Sequence, residues 1–354
     1  MIPASQPVQR PRDAKLLVID GAGNLRHVPR SSWVEFLRAG DLVVANDAAT
    51  IPASLSGVHV DTKRAVEVRL AGRHSLDPED VHEFTAVIFG EGDFHTRTEE
   101  RPAPPRLKAG DRLKLGPLSA TVVRLLGHPR LAAICIEASA DRIWAGLARH
   151  GRPIQYAHVD VPLSFWDVWT RIAGPPVAFE APSAGFVIDW SIVTNLRARG
   201  VGFTTITHAA GISSTGDPAL DARLPFDEPY RISEAAAAAI GRTRERGGRV
   251  IAVGTTVVRG LEHAASAGTL RAGEGVATQR IGAGTQLRAV DAILSGTHEP
   301  GTSHYELLRA FADDRILERA SHELDLHGYR THEFGDSVML EAAFQHYHRA
   351  SSAA

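Results

Sequence analysis

The sequence predicts an α/β core with a parallel or mixed sheet, interrupted by a small all-β, barrel-like domain. At both ends of the 354-residue chain, unbroken apolar runs alternate with helical segments, which is typical of strands covered on both faces. Between about Leu55 and Ala140 the pattern changes to short strands separated by turn residues. We therefore expect residues 1–55 and 141–354 to form the α/β core and residues 56–140 to form the inserted barrel.

The amino-terminal α/β segment contains two apolar strands. Lys15–Asp20 precedes a glycine-rich turn, and Asp41–Asn46 follows a short helix predicted over 31–39. Four segments predict the barrel strands, and the proline-rich, basic stretch 101–111 is expected to be an exposed loop. In one-letter code the four segments are AVEVRLAG, FTAVIFGEGD, DRLKLGPLSATVVRLLG and LAAICIEA.

The carboxy-terminal α/β segment alternates helices and strands. Ser233 is expected to cap an alanine-rich helix that ends at Gly247. Right-handed crossovers would place the loop 183–185 and the turn 254–256 at the carboxyl edge of the sheet, where open α/β sheets bind ligands. The remaining predicted elements are helices near 164–172, 189–199, 255–267, 303–313 and 315–326, and strands over 202–208, 249–253 and 336–341.

Composition and charge exclude several classes of protein. With 44% apolar and 23% charged residues the chain is globular, and a formal charge of -2 provides no overall basic field for nucleic acid. The single cysteine, Cys135, is expected to be a buried spacer and not part of a disulfide. No run approaches the roughly 18 apolar residues of a membrane span, so a cytoplasmic protein without a membrane partner is expected.

Common nucleotide, esterase and metal motifs are missing from the sequence. None of the Gly-x-Gly pairs continues to the third glycine of a dinucleotide fingerprint, and neither a P-loop nor a G-x-S-x-G elbow occurs. His322 and His327 are five residues apart and fall on different helix faces, while His346 and His348 have no companion cluster. We expect these histidines to be solvated and predict no metal site.

The most informative stretch is Arg249–Glu262, which reads as a buried strand, a stop at Gly254 and a helix. Thr255 and Thr256 are expected to cap that helix. Its first turn would present free backbone N–H groups and a positive dipole end, which can take a carboxylate or a hydroxyl group. An ordinary strand–helix unit with a satisfied cap is the alternative interpretation.

Seven segments, in the same order and at similar spacing, resemble the S-adenosylmethionine:tRNA ribosyltransferase-isomerase family of the queuosine pathway over nearly the whole chain. The resemblance implies transfer of the ribosyl carbons of S-adenosylmethionine to the aminomethyl group of a 7-deazaguanine base in tRNA, with adenine and methionine released. It also implies S-adenosylmethionine as co-substrate and an α/β core interrupted by a β-barrel. The segments are RDAKLLVID, GDLVVANDAATIPASLSG, LKAGDRLKLG, EAPSAG, RGGRVIAVGTTVVRGLEHAA, GTQLRAVDAILSGTHEPGTS and HGYRTHEFGDSVMLE.

The chain departs from the family pattern in segments expected at the pocket. A threonine and two arginines of the family segment Asn-Asp-Thr-Arg-Val-Ile-Pro-Ala-Arg are replaced by Ala48, Ala49 and Ser54, and the histidine of Ala-Gly-Leu-His-Phe is replaced by Val187. A histidine-rich segment of the family becomes 222–229, which has no histidine. Two alternatives therefore stay open, a paralogue that binds S-adenosylmethionine or another nucleoside and acts on a non-tRNA small molecule, and a binding protein without turnover.

The implied chemistry needs a partner for the sulfonium and a base. The two candidate catalytic residues are Asp47, a carboxylate for the sulfonium or the ribose diol, and His208, a proton-transfer group; a turn cap and a core histidine are the respective alternatives. Arg259 could pair with an anion, with Glu262 as its structural partner. Asp336 is either a turn residue or part of the pocket floor. The candidate substrate-binding residues are Asn46, Ser183, Ala184, Gly185, Gly254, Thr255, Thr256 and Arg259.

Overall fold

The computed structural model describes residues 1–343, so His346 and His348 lie outside the described residues. The α-helices are α1 (Ala140–His150), α2 (Phe165–Val168), α3 (Trp190–Ala198), α4 (Pro218–Asp221), α5 (Glu234–Glu245), α6 (Thr255–Ala264), α7 (Ser303–Leu308) and α8 (Asp314–Leu326). Short 3₁₀ helices span Arg30–Phe36, Thr98–Glu100 and Ser183–Val187. The strands are β1 (Ile2–Pro3), β2 (Lys15–Ile19), β3 (Leu25–Pro29), β4 (Leu42–Asn46), β5 (Ala49–Thr50), β6 (Ser54–His59), β7 (Ala65–Gly72), β8 (Glu83–Phe89), β9 (Arg112–Leu115), β10 (Leu118–His128), β11 (Leu131–Ile136), β12 (Pro176–Ala178), β13 (Gly202–His208), β14 (Glu228–Ile232), β15 (Val250–Val253), β16 (Gly273–Ala277), β17 (Ala292–Gly296), β18 (Arg330–Thr331) and β19 (Ser337–Glu341).

A nine-stranded mixed sheet forms the α/β core, in the order β16-β14-β13-β4-β15-β17-β19-β2-β3. Strand β4 pairs in parallel with β13 and β15, and β15 pairs in parallel with β17. The carboxyl ends of these four strands therefore meet at one edge of the sheet. The outer strands β14, β16, β19 and β3 each pair antiparallel with a neighbour, which confirms the prediction of a mixed sheet.

Helices cover both faces of this sheet, as the unbroken apolar strands predict. Along β4, Val44 packs on the face that buries α5, α6 and α8, whereas Val43 and Ala45 pack on the face that buries α3 and the 3₁₀ helix Arg30–Phe36. Each fully buried Val contributes roughly 1.5–3 kcal/mol to the free energy of folding. None of the helices within residues 1–343 is long and apolar enough to cross a membrane.

The inserted all-β unit is a closed barrel of six strands in the order β10-β11-β8-β7-β6-β9. Its strands begin at Ser54 and end at Ile136, and all neighbours pair antiparallel. The helix α1 buries Ile143 and Leu147 in the same apolar cluster as the barrel interior. The barrel is thus confirmed, while the domain bounds 56–140 stay a prediction.

Two local predictions in the barrel are wrong. Cys135 is only half-buried, because β11 alternates its side chains between the interior and the surface and Cys135 points outward. The proline-rich stretch 101–111 is not a freely exposed loop, because Arg101 is buried and forms an ion pair with Glu67. A charged side chain in that stretch is therefore part of the barrel structure.

Several predicted helices are shorter in the structure. The segment predicted over 31–39 is a 3₁₀ helix, the segment near 164–172 contains one helical turn at Phe165–Val168, and the helix predicted over 303–313 ends at Leu308. Ser233 caps α5 as predicted, since its side chain accepts the Ala236 N–H.

Candidate functional site

A cavity of about 540 Å³ lies at the carboxyl edge of the central sheet, a size suited to a small ligand. The turn between β15 and α6 forms one wall, and the loop after β12 forms the wall beside it. The end of β17 and the start of α7 contribute a further side. The lining segments include 180–184, 210–213, 221–222, 224–225, 253–256, 280–285, 295–296 and 303–304, together with Glu228, Arg259, His298, Gly301, Glu306 and Leu307.

The barrel supports this cavity from outside without lining it. Ile212, Leu220 and Leu224 of the β13–β14 connection pack in one apolar cluster with Ala71 and Phe89 of the barrel. That connection carries the wall segments 210–213 and 221–225. The insertion of the barrel into the α/β chain therefore holds one wall of the cavity in place.

The turn at Gly254 meets the loop at Ala184, so the two loops expected at the sheet edge are neighbours. Gly254 has φ = 95°, and a Cβ added there would lie 3.3 Å from the Ala184 Cβ. Both the backbone angle and the short distance to Ala184 therefore favour glycine. Ser183 and Ala184 line the cavity. Gly185 is buried outside the lining, where a Cβ would lie 3.1 Å from Thr170 Cγ2.

The prediction that Thr255 and Thr256 cap α6 is wrong. Gly254 is the N-cap residue, no side chain caps the helix, and the two threonines are its first residues. Both threonines line the cavity. A helix start without a side-chain cap leaves backbone N–H groups for a ligand, and the helix dipole favours an anionic or hydroxyl oxygen there.

Asn46 fixes the sheet edge and does not line the cavity. Its Nδ2 donates to the His208 carbonyl at 2.9 Å and to Thr256 Oγ1 at 3.4 Å, while its Oδ1 accepts the N–H groups of Ala48 and His208 at 3.0 Å each. The side chain is buried with these contacts satisfied. Asn46 therefore positions Thr256 and is not placed to bind a substrate itself.

The two predicted catalytic residues both lie outside the cavity lining. The carboxylate of Asp47 accepts hydrogen bonds from Thr205 Oγ1 and Thr207 Oγ1, each at 2.7 Å. The ring of His208 is fully buried, with its Nε2 3.7 Å from a Glu228 oxygen, and burial, assisted by the Arg259 charge, places the His208 pKa well below its ordinary value. Their catalytic roles stay predictions that this geometry does not support.

Arg259 lines the cavity, but its guanidinium is already occupied. It forms a buried ion pair with Glu228 and donates to the Ala277 carbonyl at 2.9 Å. Glu228 also accepts the Gly211 N–H at 2.6 Å, and burial raises the pKa of its carboxyl. Arg259 is therefore a wall residue and not a free anion clamp.

The predicted pairing of Arg259 with Glu262 is also wrong. The Glu262 carboxylate instead accepts the backbone N–H groups of Arg288, Ala289 and Val290 at 2.8–3.0 Å. It stabilises the turn that leads into β17. Two residues three apart on α6 therefore serve different parts of the fold.

Asp336 is a structural turn residue and does not form the pocket floor. It is buried, and its two oxygens accept the N–H groups of Lys15 at 2.7 Å and Arg330 at 2.8 Å. These bonds join β2 and β18 to the loop before β19. The residue is not part of the cavity lining.

Glu180 presents a partly buried carboxyl to the cavity, and sequence reasoning missed it as a functional residue. Its Oε1 accepts the Tyr156 O–H at 2.5 Å, and its Oε2 accepts the Ser213 N–H at 3.1 Å. Burial raises its pKa to about 7, although the Ser213 and Tyr156 hydrogen bonds act in the opposite direction. The signal in the sequence is its place two residues before Pro182-Ser183-Ala184.

Two histidines, also missed, form a stacked pair at the cavity. The rings of His298 and His304 are 4.7 Å apart with an interplanar angle of 13°, and His298 Nε2 is 2.9 Å from Ser295 Oγ. Burial lowers the pKa of His304 to about 4 and places that of His298 well below its ordinary value. At neutral pH both rings are uncharged, so they provide a flat, polarisable wall.

Two other groups of histidines and glutamates have nitrogen and oxygen atoms close enough for a metal ion, within 4.8 Å of one another. In each group the two imidazole rings are stacked, at 4.0 Å for His27 and His327 and at 4.2 Å for His158 and His332. The expectation of no metal site stays a prediction. The groups are His27, Glu323 and His327, and His158, His332 and Glu333.

The fold and cavity together define a class, an α/β protein with a ligand-sized cavity at a sheet edge and an inserted six-stranded barrel. The model of the family described as queuosine biosynthesis protein matches residues 2–340. The chain belongs to this family.

Individual relatives agree over nearly their whole length. The chain is 31% identical to a protein of Sorangium cellulosum, with 95% of this chain and 94% of that protein aligned, and 32% identical to one of Citrifermentans bemidjiense, with 95% of each aligned. Both relatives are named S-adenosylmethionine:tRNA ribosyltransferase-isomerase. The fold is similar to the crystal structure of an S-adenosylmethionine tRNA ribosyltransferase from Thermotoga maritima, with a TM-score of 0.50, 23% identity and 96% of each chain covered.

Proposed function

We propose that the protein is an S-adenosylmethionine:tRNA ribosyltransferase-isomerase. It moves the ribosyl group of S-adenosylmethionine to 7-aminomethyl-7-deazaguanine in tRNA and releases adenine and methionine. The observation that carries this proposal is the cavity at the sheet edge, where the loops at Ala184 and Gly254 meet in a chain of the queuosine biosynthesis family. A tRNA acceptor also implies action in the cytoplasm.

The charges around the cavity suit a sulfonium ligand. Among the described residues, four carboxyl groups and two guanidinium groups line it. Arg259 is paired with Glu228, and Arg280 donates to the Ala222 carbonyl at 2.8 Å. The surplus of carboxyl groups favours a ligand cation in a partly desolvated site. The four carboxyl groups belong to Glu180, Asp221, Glu228 and Glu306.

The uncapped start of α6 supplies binding groups of the opposite kind. The free N–H groups at Thr255 and Thr256 accommodate the methionine carboxylate or a ribose hydroxyl, because both present acceptor oxygens. Ser183 and Ala184 leave room for close approach of the ligand to the backbone. The neutral rings of His298 and His304 can pack against the adenine base.

The direct test is adenine release from S-adenosylmethionine by the purified protein. The acceptor is tRNA that carries 7-aminomethyl-7-deazaguanine, and the matched control is the same tRNA with guanine at that position. Release that requires the modified base supports the proposal. Absence of adenine release with the modified tRNA, from protein that is folded by circular dichroism, contradicts it.

One alternative is favoured by specific residues. The family's arginines are replaced by Ala49 and Ser54, and the formal charge is -2, which weakens the case for a polyanionic acceptor. A paralogue acting on a small-molecule amine would release adenine equally well without tRNA. A strongly salt-dependent affinity for tRNA would count against this alternative.

A further inference from the structure

Glu180 differs from the other carboxyl groups of the cavity in its partners. The Glu228 carboxylate is paired with Arg259, and that of Glu306 with Arg309. Asp221 accepts the N–H and O–H of Thr215 at 2.6 Å each. Glu180 is held by hydrogen bonds from Tyr156 and Ser213, and it forms no ion pair with a cationic side chain within residues 1–343.

The hydrogen bonds orient the Glu180 carboxyl group but do not pair it with a cation. Tyr156 O–H holds one oxygen, and the Ser213 N–H holds the other, which leaves each oxygen a second lone pair for a group in the cavity. Tyr156 is itself fixed, since its hydroxyl accepts the Ser214 N–H at 3.3 Å and the Arg69 guanidinium lies 5.5 Å from its ring centre.

Other candidate bases are less well placed. His298 and His304 have strongly lowered pKa values, so they accept protons poorly at neutral pH, and His208 lies outside the lining. Val187 stands where the resembled family pattern has a histidine. Glu180, seven positions earlier at the start of the same loop, provides a titratable group in this chain.

We propose that Glu180 is the base that removes a proton from the ribosyl carbon bonded to the sulfonium sulfur. The C–H bond breaks, its electron pair stays on carbon beside the positive sulfur, and the proton moves to a Glu180 oxygen to give a carboxylic acid. The carboxylate is regenerated when this proton passes to solvent. This assignment rests on the proposed function.

The surroundings set the pH range in which Glu180 can act. Burial raises its pKa to about 7, the Ser213 and Tyr156 hydrogen bonds lower it, and the charge of Glu333 raises it. The His158 ring, which stacks on Tyr156, contacts Glu333 at 3.0 Å. A base whose pKa lies near the working pH combines a large ionised fraction with good proton affinity.

The test compares Glu180→Gln and Glu180→Asp with the wild type, using adenine release with the modified tRNA as the readout. We expect Glu180→Gln to lower kcat by roughly 10²–10⁴-fold with little change in the KM for S-adenosylmethionine. Glu180→Asp should keep part of the activity because it retains a carboxylate. Glu137→Gln, an exposed barrel residue bonded to Thr121, is the matched control and should behave as the wild type.

Tyr156→Phe distinguishes a base from a structural carboxyl. Because the Tyr156 O–H lowers the Glu180 pKa, its removal should shift the acidic limb of the kcat/KM profile to higher pH. In deuterated buffer the wild type should also exchange the ribosyl proton beside sulfur, and Glu180→Gln should not.

The outcomes separate the two proposals. A wild type that releases adenine, together with a Glu180→Gln variant of equal kcat and an unchanged pH profile, overturns the role of Glu180 and leaves the proposed function intact. Loss of activity in Glu180→Gln through a higher KM alone, with wild-type proton exchange, assigns Glu180 to binding and also overturns its role as base. A folded wild type without adenine release contradicts both proposals.

Discussion

Replacing Glu180 by glutamine is expected to raise the free energy of unfolding more at pH 8 than at pH 5. The pKa of the partly buried Glu180 carboxyl is about 7 in the folded protein, against 4.5 for an ordinary glutamate. Between pH 4.5 and about pH 7, the unfolded chain has lost the Glu180 proton that the folded protein still holds. The free energy of unfolding therefore falls as pH rises through this window and levels off above pH 7.

The size of the effect follows from the difference in pKa. At about 1.36 kcal/mol per pKa unit, the rise from 4.5 to about 7 corresponds to roughly 3 kcal/mol of destabilisation once Glu180 is ionised. Glutamine has nearly the same shape and cannot ionise. Its oxygen can accept the Ser213 N–H while its amide donates to Tyr156, so both partners of the carboxyl remain bonded.

Urea unfolding followed by tryptophan fluorescence measures this difference. The free energies of unfolding of the wild type, Glu180→Gln and the Glu137→Gln control are compared at pH 5 and pH 8. We expect Glu180→Gln to gain about 1–3 kcal/mol over the wild type on going from pH 5 to pH 8, and the control to gain nothing. An equal effect of Glu180→Gln at both pH values would refute the raised pKa of this carboxyl.

Three further substitutions test other parts of the site. Arg259→Met should lower the free energy of unfolding by about 3–5 kcal/mol, because Glu228 would be left buried without its cation. The double variant with Arg259→Met and Glu228→Gln should recover part of this loss in the same urea assay. Gly254→Ala should lower the free energy of unfolding by at least about 1–2 kcal/mol and raise the KM for S-adenosylmethionine, since it places a Cβ at φ = 95° beside Ala184. An unchanged KM would show that this turn is not part of the binding site. His208→Phe should retain adenine release, because the buried ring has no hydrogen-bond partner and lies outside the cavity; a loss beyond about 100-fold with an intact fold would restore its predicted catalytic role.

The sequence predicts most of the fold because the patterns that define the elements are local. The strand predicted over 202–208 is observed as Gly202–His208, and the apolar run ending at Asn46 is a central strand of the sheet. The change of pattern near Leu55 and Ala140 marks a closed barrel. Helix ends were predicted less well, as at 303–313, because tertiary packing decides where a short helix stops.

The site could be predicted only in part, because its side chains are selected by long-range packing. The glycine at Gly254 and the small residues at Ala184 are visible in the sequence, and their loops do meet. Arg259 has an acidic residue three positions away in Glu262, yet it pairs with Glu228 from another strand. The local sequence does not show which carboxyl group lies nearer to Arg259 once the sheet has formed.

The same limit explains why Glu180 was missed. Burial raises its pKa, and the hydrogen-bond partners that lower it lie far away in the sequence, Tyr156 24 positions earlier and Ser213 33 positions later. Conversely, Asp47 stands at the end of a central strand as expected, but its carboxylate points to Thr205 and Thr207 and not to the cavity. Strand ends locate the edge of a sheet, whereas the direction of each side chain depends on the pleat.

The measurement that tests the central claim most directly is a single-turnover assay that follows adenine and methionine together, with the modified tRNA in excess. It compares the wild type with Ser183→Trp, which places a large ring into the cavity. We predict that the wild type releases the two products in equal amounts and that Ser183→Trp, although folded, releases neither. Equal product release by both proteins would place the reaction outside this cavity and contradict the account.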